Sequence, residues 1–82
     1  MHIRNETDSE VVYELRGGPV MMTLSKGWID PGEADEWIPP NHAIGACMVV
    51  VHEDDVFHSA EGTSENDYVI RRVNNVLEVT VE

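Results

Sequence analysis

The residue types that could bind a transition metal are concentrated in one short segment, His52-Glu53-Asp54-Asp55-Val56-Phe57-His58. Imidazole and carboxylate groups are common ligands of such metals. The two histidines flank a predicted hairpin, and their side chains share a face only if the loop has an odd number of residues. A two-residue turn at Asp54-Asp55 would place them on opposite faces, so two solvent-facing histidines are the preferred interpretation.

Acidic residues offer a second kind of site, because Ca²⁺ prefers about six to eight oxygen ligands. The candidate ligands are carboxylates from two predicted loop regions: Asp30, Asp35, Asp54 and Asp55. No segment has the regularly spaced aspartates and the glycine of a dedicated calcium loop. A Ca²⁺-binding β-sandwich domain is therefore an alternative function and not the preferred one.

The two tryptophans, Trp28 and Trp37, could stack on a sugar ring, which makes a carbohydrate-binding module a further alternative. Tryptophans serve more often as core or interface residues. The chain has no glycine-rich phosphate loop, no nucleophile elbow and no cysteine–histidine pair at a defined spacing. We therefore expect a protein without enzymatic activity and, outside the calcium alternative, without a cofactor.

Charge is the most informative feature of the composition. The 82 residues include sixteen Asp and Glu against five Lys and Arg, for a net charge of −11. Such a chain repels nucleic acid and anionic membranes, so direct binding to either is not expected, whereas a basic protein is a natural partner. High solubility is the alternative explanation of the same acidity.

The length predicts a single domain over residues 1–82. Hydrophobic residues make up 41% of the chain, which is enough for a folded core. Because Cys47 is the only cysteine, an intrachain disulfide is excluded. This cysteine lies in the most apolar segment, which predicts a small buried hydrophobic side chain. The first residues contain no apolar stretch typical of a signal peptide, so a cytoplasmic location is the default expectation.

The candidate residues must be positioned by strands, because no stretch of eleven residues in the sequence keeps the apolar spacing of an amphipathic helix. The most apolar run, residues 44–52, predicts the central strand. One of its faces carries Ile44, Ala46, Met48 and Val50, and the other carries Gly45, Cys47, Val49 and Val51. Because neither face is polar, we expect a second sheet on one side and a subunit or partner on the other. A homodimer formed through the segment from Ile44 to Val51 would meet that expectation.

Turn residues predict how the other strands pair. Gly17-Gly18 is typical of a two-residue hairpin turn, because both glycines accept positive φ. The register that follows places apolar residues opposite one another on one face: Leu15 with Val20, Tyr13 with Met22, and Val11 with Leu24. On the other face of the same hairpin, Val12 is expected opposite Thr23.

Two further turns are predicted from their residue types. Asn74-Asn75 indicates a second two-residue hairpin, in which Arg71 lies opposite Glu78 as a cross-strand charge pair. Asp30-Pro31-Gly32-Glu33 has the proline and glycine positions of a type II turn. A polar loop is expected over residues 61–66.

Short strands between closely spaced turns predict an all-β fold. The expected architecture is a small antiparallel β-sandwich of seven or eight short strands, immunoglobulin-like or jelly-roll-like, with no substantial helix. If each strand reverses the direction of the one before it, alternate loops meet at one pole. Residues 6–10, 30–36, 53–55 and 74–75 then lie together, and the first three of these segments hold three, four and three acids, ten of the sixteen. The opposite pole would hold residues 17–18, 39–43 and 61–67.

The preferred function is a small acidic binding module that docks a basic partner protein through this pole, as a regulator, an inhibitor or a mimic of nucleic acid. Its expected contacts are acidic residues of the loops and one tryptophan: Asp30, Glu33, Asp35, Glu36, Trp37, Glu53, Asp54 and Asp55.

Overall fold

A computed structural model describes residues 1–38 and 45–82, and the strands of these residues form two four-stranded sheets. In chain order the strands are β1 His2–Asn5, β2 Val11–Gly17, β3 Met22–Ile29, β4 Ala34–Glu36, β5 Ala46–Glu53, β6 Val56–Thr63, β7 Tyr68–Val73 and β8 Val76–Val81. The described residues include no helix that is long and apolar enough to cross a membrane. The eight strands in two sheets confirm the predicted all-β sandwich.

The first sheet has the strand order β4-β1-β7-β8, and the second sheet has the strand order β3-β2-β5-β6. The chain moves from one sheet to the other after β1, β3, β4 and β6, so each sheet combines distant parts of the sequence. Neighbouring strands are antiparallel, as expected, except that β1 and β7 run parallel. The strand order differs from the immunoglobulin arrangement, in which the first strand pairs with the second.

The hydrophobic core lies between the two sheets, because alternate residues of each strand point to the same side. Twelve buried residues form it: Ile3, Val11, Tyr13, Leu15, Ile29, Cys47, Val49, Val51, Tyr68, Ile70, Leu77 and Val79. Burial raises the pKa of the Cys47 thiol, as its place in this apolar cluster requires. The thiol is therefore a core group and not an accessible nucleophile.

The apolar run forms β5, an interior strand between β2 and β6, as predicted. On its outward side Val50 is only 8% exposed and Met48 is half-buried, because side chains of the neighbouring strands, including Arg16 and Phe57, lie beside them. Neighbouring side chains thus supply much of the cover that the sequence led us to expect from a second subunit. Ile44 and residues 39–43 lie outside the described residues, and the homodimer stays a prediction.

The hairpin of β2 and β3 is present, but the register predicted for it is wrong. Val11 pairs with Ile29 and Leu15 pairs with Ser25, and the register then shifts by one residue after Leu15. Ile29 is 2% exposed, so this register brings an apolar side chain at the far end of β3 into the core opposite Val11. The predicted register would have left Ile29 beyond the start of β2.

A wider turn than the predicted Gly17-Gly18 makes this register possible. The turn spans residues 18–21, and both Gly18 and Met21 adopt positive φ, at 83° and 51°. The amide of Met21 donates to the carbonyl of Gly18 at 3.2 Å. Val20 and Met22, which the sequence placed on the core face, are consequently 77% and 60% exposed.

The hairpin of β7 and β8 has the predicted turn and register. Asn74 and Asn75 both adopt positive φ, at 53° and 65°, and Arg71 lies opposite Glu78. The guanidinium of Arg71, however, contacts Glu6 and Glu82. The ion pair expected between Arg71 and Glu78 is therefore replaced by ion pairs of Arg71 with Glu6, which follows β1, and with Glu82, which follows β8.

The type II turn is also confirmed, because Gly32 has φ 77° and the amide of Glu33 donates to the carbonyl of Asp30 at 3.0 Å. The polar loop predicted over residues 61–66 begins later than expected. Glu61 and Gly62 continue β6, where they pair with β5, and the turn follows the end of that strand.

Candidate functional site

Three acidic loops meet at the end of the sandwich where β1, β3, β5 and β7 end. Backbone hydrogen bonds of 2.9 Å tie two of these loops together, from the Asn5 amide to the Glu33 carbonyl and from the Gly32 amide to the Asn5 carbonyl. We call this end the acidic tip. It comprises eight carboxylates: Glu6, Asp8, Glu10, Asp30, Glu33, Glu53, Asp54 and Asp55.

Asn5 is fully buried and positions two of the tip loops. Its Nδ2 donates hydrogen bonds to the carbonyl oxygens of Ser9 and Ile29, both at 2.8 Å. Its Oδ1 accepts from the amide and the hydroxyl of Thr7, at 2.9 and 2.7 Å. The amide side chain is therefore committed to the fold.

Two of the tip carboxylates are held in ion pairs. The Nε atoms of Arg71 and Arg4 contact Glu6 at 2.9 and 2.8 Å, and these hydrogen bonds lower the pKa of Glu6. Arg72 of the first sheet binds Glu53 of the second sheet, and this hydrogen bond lowers the pKa of Glu53. Both carboxylates therefore keep their negative charge to lower pH than an isolated glutamate does.

Six tip carboxylates are exposed and have no ion pair within the described part of the chain: Asp8, Glu10, Asp30, Glu33, Asp54 and Asp55. Their charges add at one end of the molecule. The resulting negative potential extends into solvent over about a Debye length, roughly 8 Å at physiological ionic strength.

β4 carries two of the predicted contact residues away from the tip. Asp35 accepts a hydrogen bond from the Tyr13 hydroxyl at 2.9 Å, and Glu36 contacts the ring of His2 at 2.9 Å near the start of β1. Trp37 follows β4 and packs against the core. The prediction that Asp35 and Glu36 belong to the acidic pole is wrong, because residues 34–36 form a strand that pairs along β1.

The four carboxylates considered for calcium are not assembled into a metal site. Among residues 1–38 and 45–82, no three His, Cys, Asp or Glu side chains are close enough to hold a metal ion together. Asp35 is engaged by Tyr13, whereas Asp54 and Asp55 form a tight turn in the other sheet. The arrangement therefore lacks the converging oxygens that Ca²⁺ needs.

The two-residue turn at Asp54-Asp55 also separates the two histidines considered for a transition metal. His52 pairs with Phe57 and His58 pairs with Val51, so the side chains of the two histidines point to opposite faces of the sheet. This register therefore favours the interpretation that His52 and His58 do not bind one metal ion together.

The two tryptophans lie in different parts of the sandwich. Trp28 is an outward residue of β3 and is 65% exposed, whereas Trp37 is half-buried beyond β4. The two rings therefore do not form one platform on which a sugar could stack.

A row of side chains crosses the outer surface of the second sheet directly beside the acidic tip. Trp28 lies opposite Val12, Val12 lies opposite His52, and His52 lies opposite Phe57. We call these four residues, one from each strand, the outer row. Trp28, Val12 and Phe57 are 65%, 50% and 64% exposed, and the His52 ring meets the Phe57 ring edge-on with centroids 4.7 Å apart.

Two shallow grooves adjoin the outer row. One has a volume of about 500 Å³ and lies between β2 and β3, beside Trp28. The other has a volume of about 320 Å³ and lies over β5, beside Phe57. Glu14 borders both grooves, and hydrogen bonds from Thr23 and Arg16 hold its carboxylate and lower its pKa.

Sequence reasoning did not find the outer row. The predicted register placed Val12 opposite Thr23, so Val12 could not be aligned with Trp28. The available signal was the Asp54-Asp55 turn, which by its length alone pairs His52 with Phe57. The other half of the row depends on a register shift between β2 and β3, at Leu24 of β3, that has no clear sequence signature.

Comparisons with protein-family models, with curated proteins and with solved structures found no match for this chain. The acidic tip and the outer row are therefore interpreted from their geometry and charge.

Proposed function

We propose that this protein is a non-enzymatic binding module that docks a basic partner protein through its acidic tip. The observation that supports this function is the convergence of eight carboxylates at one end, six of them exposed and without an ion pair among the described residues. Charges concentrated on loops of a rigid sandwich steer an oppositely charged protein towards that end and favour its binding there.

The sign of the charge narrows the class of partner. Nucleic acid and anionic lipid surfaces are repelled, whereas a basic groove that ordinarily holds nucleic acid is attracted. A regulator or inhibitor that occupies such a groove fits this chemistry. A cytoplasmic location, where the buried Cys47 stays reduced, is part of the same proposal.

Fluorescently labelled octa-lysine is a suitable defined probe for the tip. We expect it to bind at low salt and to be released at high salt, because screening weakens exposed charge pairs. The double substitution Asp54→Asn and Asp55→Asn should weaken binding by roughly fivefold, the effect of removing two exposed charge contacts. Asparagine suits the positive φ of residue 54, which is 53°, so the turn is retained.

The matched control is the double substitution Glu61→Gln and Glu65→Gln, which changes the net charge equally but lies away from the tip, in and after β6. A clearly smaller effect of this control supports docking at the tip. Equal weakening by the two double variants would mean that the probe senses only the total charge, and would contradict the proposed site.

A further inference from the structure

An exposed apolar surface adjoins the acidic tip. Each member of the outer row lies within two positions of a tip carboxylate: Trp28 before Asp30, Val12 after Glu10, His52 before Glu53, and Phe57 after Asp55. The outer row and the tip are therefore parts of one continuous surface at the same end of the second sheet.

Three members of this row, Trp28, Val12 and Phe57, are largely exposed apolar side chains that lie side by side. Trp28 and Phe57 leave about two thirds of their surface in water, at 65% and 64%, and they lie on the two edge strands of their sheet, β3 and β6. Exposed apolar surface with a polar border is a common mark of an interaction site. Tryptophan is also among the residues that most often dominate binding energy at protein interfaces.

Charges around the row determine which occupant fits. Glu14 is paired with Arg16, and Glu53 is paired with Arg72. Beyond these pairs the nearby charges are four carboxylates, on Glu10, Asp30, Asp54 and Asp55, against the single ammonium group of Lys26. The border of the row is thus negative, and a second copy of a chain with net charge −11 would bring like charges together.

We infer that the outer row is the apolar anchor of the docking surface, and that it receives a segment of a basic partner in which an arginine stands next to an apolar side chain. This inference rests on the proposed function and names the chemistry of its partner. Glu10 and Trp28 line the same groove, so one guanidinium can stack on the indole ring and face the carboxylate. The apolar neighbour of that arginine then packs against Val12 and Phe57.

Two peptides of equal charge test this inference. One is Ac-Gly-Arg-Leu-Arg-Leu-Arg-Gly-NH2, and in the other, glycine replaces both leucines. We expect the wild-type protein to bind the leucine peptide roughly fivefold or more tightly than the glycine peptide, because only the former can bury apolar groups on the row. The double substitution Trp28→Thr and Phe57→Thr should abolish this difference. Threonine suits an exposed strand position, so the sandwich is retained.

The matched control is the double substitution Val73→Thr and Val76→Thr, which removes two exposed apolar residues of the first sheet, 44% and 45% exposed in the wild type. This control should keep the preference for the leucine peptide. Chemical shifts of the Trp28 indole N–H should move on titration, whereas those of the Trp37 indole N–H should not.

Each other outcome identifies which proposal fails. Equal binding of the two peptides, with continued dependence on the tip carboxylates, would overturn the anchor and leave the acidic tip as the docking site. Failure of both peptides to bind would overturn the proposed function together with this inference. Concentration-dependent dimerisation in sedimentation, lost on substitution of Trp28 and Phe57, would assign the row to a second copy and overturn the inference.

Discussion

Asn5 links the hydrophobic core to the acidic tip through four hydrogen bonds, although it is a single small polar residue. Its side chain is fully buried, and its hydrogen bond to the Ile29 carbonyl is buried as well. The residue thus acts as an internal connection between β1, the loop that follows β1, and the end of β3. Nothing in the local sequence distinguishes it from an exposed asparagine, because its partners come from elsewhere in the fold.

The substitution Asn5→Ala should lower the free energy of unfolding by about 2–3 kcal/mol, because it removes a buried hydrogen bond to the Ile29 carbonyl together with three part-buried ones. Urea denaturation monitored by tryptophan fluorescence measures this change. Asn66→Ala is the matched control, since the side-chain Oδ1 of Asn66 accepts hydrogen bonds from the amide and the hydroxyl of Thr63 in a partly exposed turn. If Asn5→Ala lowers the free energy of unfolding no more than Asn66→Ala does, Asn5 does not connect the core to the acidic tip.

The ion pairs of Glu6 predict how stability depends on pH. Hydrogen bonds from Arg71 and Arg4 lower the pKa of Glu6 below its ordinary value of 4.5. The stability that follows is fully present above that ordinary value and is lost as the pH falls through the lowered pKa. Between about pH 6 and about pH 3, the wild type should therefore lose more stability than the variant Glu6→Gln.

Urea midpoints measured across this pH range test the prediction. Glu78→Gln is the control, because Glu78 lies on the outer surface of the same sheet and has no ion pair within the described part of the chain. The control should follow the wild-type profile. Identical profiles for Glu6→Gln and the wild type would show that the ion pairs of Glu6 contribute nothing measurable.

At the scale of secondary-structure elements, the two principal hairpins differ in what specifies them. In the β7–β8 hairpin two adjacent asparagines accept positive φ, so the turn residues alone determine the register. In the β2–β3 hairpin the register follows from the burial of Ile29 and from a shift after Leu15. The Gly17-Gly18 pair is therefore a misleading signal, because a longer turn allows better burial at the far end.

The wider turn of the β2–β3 hairpin carries a measurable strain. Met21 adopts φ 51°, a conformation that costs a residue with a side chain about 1–2 kcal/mol. Met21→Gly should remove this cost and raise the free energy of unfolding by about 0.5–1 kcal/mol, after the greater freedom of glycine in the unfolded chain is included. Thermal or urea unfolding measures the gain.

Val20→Gly is the control for this substitution, because Val20 belongs to the same turn and is 77% exposed but has no positive φ. It should leave stability unchanged or lower it. A loss of stability in Met21→Gly would indicate that the Met21 side chain contributes packing that outweighs its backbone strain.

At the scale of the whole molecule, the net charge of −11 acts against the compact state. Salt screens this repulsion, since the Debye length falls from about 30 Å at 0.01 M to about 8 Å at 0.15 M ionic strength. The melting temperature should therefore rise as sodium chloride is added over this range. Exposed ion pairs such as Arg4 with Glu6 are weakened by the same salt, so the sign of the change shows which contribution dominates.

The variant with Asp54→Asn and Asp55→Asn should show a smaller rise in melting temperature with salt, because it removes two of the charges of the acidic tip. Differential scanning calorimetry measures both proteins. A melting temperature that falls with salt in the wild type would mean that attractive ion pairs outweigh the repulsion at the acidic tip.

Much of this architecture could be derived without coordinates. The alternation of apolar residues predicts strands, the run of valines predicts the interior strand β5, and the Asn74-Asn75 turn predicts its hairpin with the observed pairs. Reversal of successive strands then brings residues 6–10, 30–33 and 53–55 to one end, as observed. These features depend on local patterns and on chain direction, which the order of residues determines by itself.

Tertiary structure decided the rest. Asp35 and Glu36 leave the acidic tip because the edge of β1 is free to accept β4 as a partner. Val12 aligns with Trp28 because burying Ile29 in the core sets the register of β3 across an irregular pairing. Pairing between distant strands is settled by which side chains fill the shared core, and that competition involves the whole chain at once.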